Sequence, residues 1–136
     1  MGNSSSSNPK MIRNPAGQLQ PQTKEELRTW LEEYCIGTIN VPERRLKTLM
    51  AVEDERKKNR ARAVKKRGEP NTWDVTLVTD MSELFMYLGT FDAPIDQWDT
   101  SKVINMRKMF FGAESFNQPI TMDTSQVTDM NNMFAA

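Results

Sequence analysis

WDVTLVTDMSELF (73–85), WDTSKVINMRKMF (98–110) and MDTSQVTDMNNMF (122–134) are three stretches of one sequence that share a single pattern. The aspartates in their second position, Asp74, Asp99 and Asp123, are separated by 25 and then by 24 residues. A pattern that recurs in register at such a period is typical of a repeat protein, in which each unit packs on its neighbours. The C-terminal half of the chain, about 71–136, is therefore predicted to be a repeat domain.

In each unit the apolar residues recur at the period of a helix, and a segment typical of a strand follows them. The apolar side chains of the first unit fall on one face of about two helical turns: Val78, Met81, Leu84 and Phe85. Hydroxyl residues stand near the expected helix N-caps: Thr76, Ser101 and Ser125. The connecting segments FDAPI (91–95) and FNQPI (116–120) indicate short extended chain. These features predict an α+β repeat, a short leucine-rich-repeat-like solenoid of two to three coils.

The repeated pattern resembles a known family. W-D-[VT]-[ST]-x-V-x-x-M-x-x-[ML]-F followed by F-x-x-P-I is similar to the BspA-like repeat of about 25 residues, found in bacterial surface proteins, mycoplasma lipoproteins, protists and large DNA viruses. The resemblance covers 71–136 and, more loosely, 23–70. It implies a leucine-rich-repeat-like solenoid used for protein contacts, with no cofactor and no catalytic residues.

The residues before the repeats divide into a tail and a helical leader. Residues 1–22 are rich in Ser, Pro and Gln and are predicted to be a polar tail, disordered or held by a partner. Residues 23–70 are predicted to hold one or two helices. The first, at about 24–36, has Thr23 as its N-cap and Glu26 in a capping box, and it carries one apolar stripe: Leu27, Trp30, Leu31, Tyr34 and Cys35. A second helix is predicted to have Pro42 in its first turn and a short apolar face at Leu46, Leu49 and Met50. The basic segment after Met50 has helix-forming residues and ends at Gly68 and Pro70.

The composition argues against catalysis. The chain has no His and one Cys, which excludes a Cys/His zinc site, an intrachain disulfide and a histidine general base. Cys35 lies on the apolar stripe and is interpreted as a small buried residue. We therefore expect a non-enzymatic protein without catalytic residues, metal or cofactor.

The charges are divided between the two halves of the chain. Residues 1–70 carry 15 Lys/Arg and 9 Asp/Glu, whereas residues 71–136 carry 3 and 9, so the halves have net charges of +6 and −6. A basic run lies just before the repeats: Arg56, Lys57, Lys58, Arg60, Arg62, Lys65, Lys66 and Arg67. The favoured interpretation is a solvated helix face or a contact with acidic neighbouring subunits. Nuclear targeting or nucleic-acid binding, which charge alone supports, comes second, and binding of anionic lipid comes third.

The N-terminal sequence bears on localisation. Residues 1–6, MGNSSS, fit the pattern for N-myristoylation at Gly2. A single acyl chain binds membranes only marginally, so the basic run would have to assist it. No stretch of about 20 apolar residues and no secretory signal is found in the sequence. We expect an intracellular protein, in a virion or at a membrane.

The last unit predicts how the chain meets its partners. Its apolar positions are those that face the next unit in the earlier repeats: Val127, Met130, Met133 and Phe134. We expect these four residues to dock a partner, since exposed apolar patches of this kind mark interfaces. The predicted function is a structural subunit of a large assembly, such as a minor capsid or virion protein of a large DNA virus. The alternatives are an N-myristoylated membrane-associated adaptor and a nucleic-acid-binding protein.

Overall fold

The computed structural model describes residues 11–35 and 49–134. Helix α1 spans Lys24–Cys35 and helix α2 spans Leu49–Arg67, and a 3-10 turn follows at Pro70–Thr72. Within these described ranges there is no strand and no sheet, only three isolated β-bridges. Neither described helix is long and apolar enough to cross a bilayer.

The predicted fold class, an α+β leucine-rich-repeat-like solenoid, is wrong. The regular secondary structure of the described residues is entirely helical and precedes the repeats. Residues 73–134 consist of turns: Leu84 N–H donates to Met81 O at 3.2 Å and Met86 N–H to Glu83 O at 3.1 Å. No helix forms there because Glu83 has a left-handed φ of 60°, which ends a right-handed helical run.

The residues predicted to be N-caps have another role. The side chain of Ser101 donates to the Asp99 carboxylate at 2.6 Å, and its backbone N–H donates to the same carboxylate at 3.0 Å. The backbone N–H of Ser125 makes the corresponding bond to Asp123. Each aspartate therefore closes a tight turn by accepting bonds from the residue two positions later.

Helix α1 forms as its sequence predicts. The hydroxyl of Thr23 accepts the N–H of Glu26 at 3.1 Å, and the Glu26 carboxylate accepts the N–H of Gln22 at 2.7 Å. Its apolar stripe is buried as expected: Leu27, Trp30, Leu31, Tyr34 and Cys35. Trp30 packs edge-on against Trp73, with ring centroids 5.2 Å apart. The helix therefore covers the first repeat unit.

Helix α2 packs against α1 and ends just before Gly68, where the sequence indicated the end of the basic segment. The N–H of Gly68 donates to Val64 O at 2.7 Å, and Gly68 has a φ of 79°, the left-handed conformation that closes helices. Arg67 forms an ion pair with Glu33 of α1, with N and O 2.8 Å apart. The predicted start near Pro42 lies outside the described residues.

Part of the predicted tail is folded onto the first unit. Residues 11–20 form a small loop closed by a bridge between Arg13 and Leu19, and Leu19 is buried. The side-chain amides of Asn14 and Gln20 both donate to Asp74, at 2.7 and 2.9 Å. The prediction of a disordered or partner-held tail is therefore wrong for this segment, because Asp74 provides its anchor.

The repeat units lie side by side and share backbone hydrogen bonds. We call residues 73–97 unit 1, residues 98–121 unit 2 and residues 122–134 unit 3. Parallel bridges join Asp80 to Asn105 and Asn105 to Asp129, which are equivalent positions. Trp73 and Trp98 are both buried, and their indole N–H groups donate to the carbonyls of Arg67 and Pro70. The two tryptophans therefore occupy equivalent buried positions at the start of units 1 and 2.

Candidate protein-docking site

Stacked phenylalanines run through the three units. The rings of Phe85 and Phe110 stack with centroids 4.9 Å apart, and those of Phe110 and Phe134 with centroids 5.4 Å apart. Phe85 is fully buried and Phe110 is 3% exposed, but Phe134 is 61% exposed. The row therefore ends, within the described residues, at a ring with one open face.

A groove lies beside that open ring. Its volume is about 370 Å³, and Phe110, Phe116, Phe134 and Ile120 contribute its apolar lining. In unit 2, Phe116 packs on Phe110 with centroids 4.6 Å apart. In unit 1, Phe91 packs on Phe85 in the same way, at 4.7 Å. The groove is the place where a ring equivalent to Phe91 or Phe116 would pack on Phe134.

Backbone donors line the same face. In unit 1 the N–H groups of Met81, Glu83 and Phe85 donate to carbonyls of unit 2, at 2.8 to 2.9 Å. Unit 2 repeats this arrangement toward unit 3 through Met106, Lys108 and Phe110. The equivalent N–H groups in unit 3 belong to Met130, Asn132 and Phe134, and they donate to no described residue. The face of unit 3 therefore presents three backbone donors in one row.

The four predicted docking residues are not alike. Phe134 and Met130 are exposed, Met130 at 46%. Val127 is half-buried against the core, and Met133 belongs to the core. The structure thus brings Met130 and Phe134 together on the uncovered face and places the other two behind it.

The predicted basic contact residues of α2 differ in their burial. Arg67 is 8% exposed, and its guanidinium carbon lies 5.3 Å from the centroid of the Trp30 ring. The guanidinium carbon of Arg60 lies 5.0 Å from the centroid of the Tyr34 ring. Arg56 is also half-buried, whereas the remaining members of the run are exposed: Lys57, Lys58, Arg62, Lys65 and Lys66. A contact role for these residues stays a prediction, as does lipidation at Gly2, which lies outside the described residues.

The single cysteine is placed in the core. Burial raises the pKa of Cys35 to about 11, so the thiol remains protonated at neutral pH and is a poor nucleophile. Among residues 11–35 and 49–134, no group of His, Cys, Asp and Glu side chains is arranged to hold a metal ion.

One residue of the repeat architecture was missed by the sequence analysis. Arg28 of α1 donates through one guanidinium nitrogen to the carbonyls of Glu83, Leu84 and Met86, at 3.3, 3.0 and 2.9 Å. In unit 2 the carbonyls equivalent to those of Leu84 and Met86 accept backbone N–H groups of unit 1. Arg28 therefore supplies the bonds that a preceding unit would supply, and no local sequence signal marks it.

These features define a repeat protein whose units pair through their backbones and whose first unit is covered by a helix. A family model described as "Mycoplasma protein of unknown function, DUF285" matches residues 55–136. Since this match covers more than half of the 136 residues, the chain belongs to that family. The match is consistent with a BspA-like repeat family. No curated protein and no solved structure matches the chain significantly.

Proposed function

We propose that this chain is a non-enzymatic interaction subunit of a large assembly, and that it binds a partner protein through the uncovered face of unit 3. The observation that carries the proposal is the row of three backbone donors, Met130, Asn132 and Phe134, beside the groove at Phe134. In units 1 and 2 the same row is paired with a neighbouring segment, so the fold contains its own example of the contact.

The chemistry of the face specifies its occupant. The occupant must present backbone carbonyls on alternate residues, as Asn105, Arg107 and Met109 do toward unit 1. It must also stack an aromatic ring on Phe134, as unit 2 stacks Phe110 on Phe85. We therefore propose an extended segment of a partner protein that adds to the edge of the repeats, a mode in which backbone bonds give affinity and a pocket gives specificity.

A second copy of the same face does not satisfy these requirements. Two copies of unit 3 would bring two donor rows together and leave both without acceptors. Of the complementary carbonyls of unit 1, those of Leu84 and Met86 already accept bonds from Arg28. Pairing with a different protein is favoured for this reason, and it agrees with a role inside a larger assembly.

The more specific functions expected from the sequence remain proposals. A minor capsid or virion protein of a large DNA virus fits the resemblance to BspA-like repeats and the opposite charges of the two halves, +6 and −6. The membrane-associated adaptor and the nucleic-acid-binding protein are supported only by the Gly2 pattern and the basic run.

The test combines cross-linking with point variants. The full chain is made with a photoreactive residue at position 130 and is cross-linked in its native source. Mass spectrometry then identifies the partner segment that has been captured. That segment is then made separately, and its affinity is measured for wild type, Phe134→Asp and the control Ile104→Asp. Ile104 is 48% exposed and lies outside the groove.

We expect Phe134→Asp to weaken binding at least about 30-fold, since aromatic residues dominate such contacts, and Ile104→Asp to leave it unchanged. A captured segment that binds Phe134→Asp as well as wild type contradicts the proposal, and so does the absence of any cross-link at position 130.

A further inference from the structure

A surface cavity of about 300 Å³ lies between α2 and the first two repeat units. Three cationic and two hydroxyl side chains line it: Arg56, Lys57, Arg60, Thr90 and Ser115. No carboxylate is among these lining residues. Thr90 and Ser115 are 25 residues apart and precede Phe91 and Phe116, so they are equivalent positions of units 1 and 2. The pairing of the units therefore holds the two hydroxyls side by side.

Arg60 is held in place at this cavity. Its Nε donates to the carbonyl of Tyr34 at 3.4 Å, and its guanidinium lies over the Tyr34 ring. Burial, together with the Glu69 carboxylate, raises the pKa of Tyr34 to about 12, so the phenol is neutral at physiological pH and does not neutralise the guanidinium. The Nη groups of Arg60 bond to no described residue. They remain available to an anion.

Lys57 adds a second available charge. It is exposed, and it forms no ion pair with the residues described in the structure. A planar guanidinium, an ammonium and the Ser115 hydroxyl are donors of the kind that bind the oxygens of phosphate groups. The volume is at the lower end of the range for small-molecule sites, which leaves room for more than the phosphate itself.

We propose that this cavity binds the phosphate group of a small phosphomonoester. Arg60 and Lys57 neutralise its charge, and Ser115 donates to its oxygens. The proposal is independent of the docking face, because the cavity contains none of the residues of the groove at Phe134.

The test is a calorimetric titration of the full chain with O-phosphoserine and, separately, with inorganic phosphate. We expect saturable binding of O-phosphoserine that is tighter than that of inorganic phosphate. Lys57→Gln should weaken it about tenfold, since a hydrogen bond between two charged groups is lost. Lys58→Gln is the matched control, because Lys58 is the adjacent exposed lysine and does not line the cavity.

Two further variants keep the test decisive. Arg60→Gln should abolish binding, and Ser115→Ala should weaken it without affecting the fold, because Ser115 is exposed. Absence of saturable binding overturns the proposal. Equal weakening by Lys57→Gln and Lys58→Gln also overturns it, since diffuse charge on α2 would then be the cause. Inorganic phosphate that binds as tightly as O-phosphoserine would overturn the assignment to a monoester.

Discussion

The two ends of the repeat region differ in how their backbone groups are covered. At unit 1, α1 lies over the core and Arg28 donates to the carbonyls that a preceding unit would occupy. At unit 3, the donors of Met130, Asn132 and Phe134 have no described partner. A repeat unit cannot satisfy both of its own edges, so each edge needs either a cap or a neighbour. Among the described residues, α1 and Arg28 cap the edge at unit 1, whereas the amides at the edge of unit 3 have no described partner.

The largest difference in the free energy of unfolding is expected between substitutions of two phenylalanines in the stacked row. Phe110→Ala should lower the free energy of unfolding by about 3–5 kcal/mol, because the ring is buried between units 1 and 3. Phe134→Ala should lower it by less than about 1 kcal/mol, because the ring is mostly exposed. Equilibrium unfolding in urea measures both values. Similar losses for the two variants would mean that the two ends are equally covered.

A smaller loss of stability is expected when the hydrogen bonds from Arg28 to unit 1 are removed. Arg28→Ala leaves the carbonyls of Leu84 and Met86 without their donor, and it should cost about 1–3 kcal/mol. Arg28 also pairs with Glu32 at 3.0 Å on the surface. Glu32→Ala removes only that pair and should cost less than about 0.5 kcal/mol. If the two variants lose the same stability, the carbonyl bonds contribute nothing and the cap is provided by α1 packing alone.

The capped end should also respond to acid. Burial opposes ionisation of Asp74, but bonds from Thr76, Asn14 and Gln20 outweigh it and hold its pKa below the ordinary value of 3.8. A lowered pKa adds stability above the ordinary value, and that stability is lost as the pH falls through the folded-state pKa. The melting temperature should therefore fall below about pH 4, and it should fall less steeply in Asp74→Asn. Identical pH profiles would show that Asp74 does not anchor residues 11–20.

The smallest effect concerns one turn position in each unit. Glu83, Lys108 and Asn132 are equivalent and have φ values of 60°, 55° and 56°. Asn tolerates this conformation better than Lys, so Lys108→Asn should stabilise the protein by a few tenths of a kcal/mol. Arg107→Asn, at the preceding exposed residue, is the control and should give no gain. A loss of stability in Lys108→Asn would indicate that the lysine makes a compensating contact, such as its approach to the Phe111 ring.

The sequence predicted the features that depend on local or periodic information. Thr23, Glu26 and the apolar stripe were sufficient to locate α1, and the repeat period was sufficient to pair Trp73 with Trp98. It failed inside the units, because their N–H groups alternate between bonds within a unit and bonds to the next one. A period of apolar residues does not reveal that division, and neither does it reveal the left-handed turn at Glu83.

The candidate site was predictable only in part. Phe134 and Met130 were identified from the repeat register, but the burial of Met133 depends on its place within the turn of unit 3. Arg28 could not be identified, since its acceptors are 55 to 58 residues away in the sequence. The burial of Arg67 could not be predicted from the sequence for a similar reason, because its ion-pair partner Glu33 lies on the other helix.

Amide hydrogen exchange of the full chain, followed residue by residue by NMR, tests the central claim most directly. The N–H groups of Met81, Phe85, Met106 and Phe110 bond between units and should exchange slowly, at rates set by unfolding. Those of Met130, Asn132 and Phe134 should exchange rapidly and become protected when the partner segment binds. Slow exchange at these three amides in the free chain, or rapid exchange at the paired amides of units 1 and 2, would contradict the account.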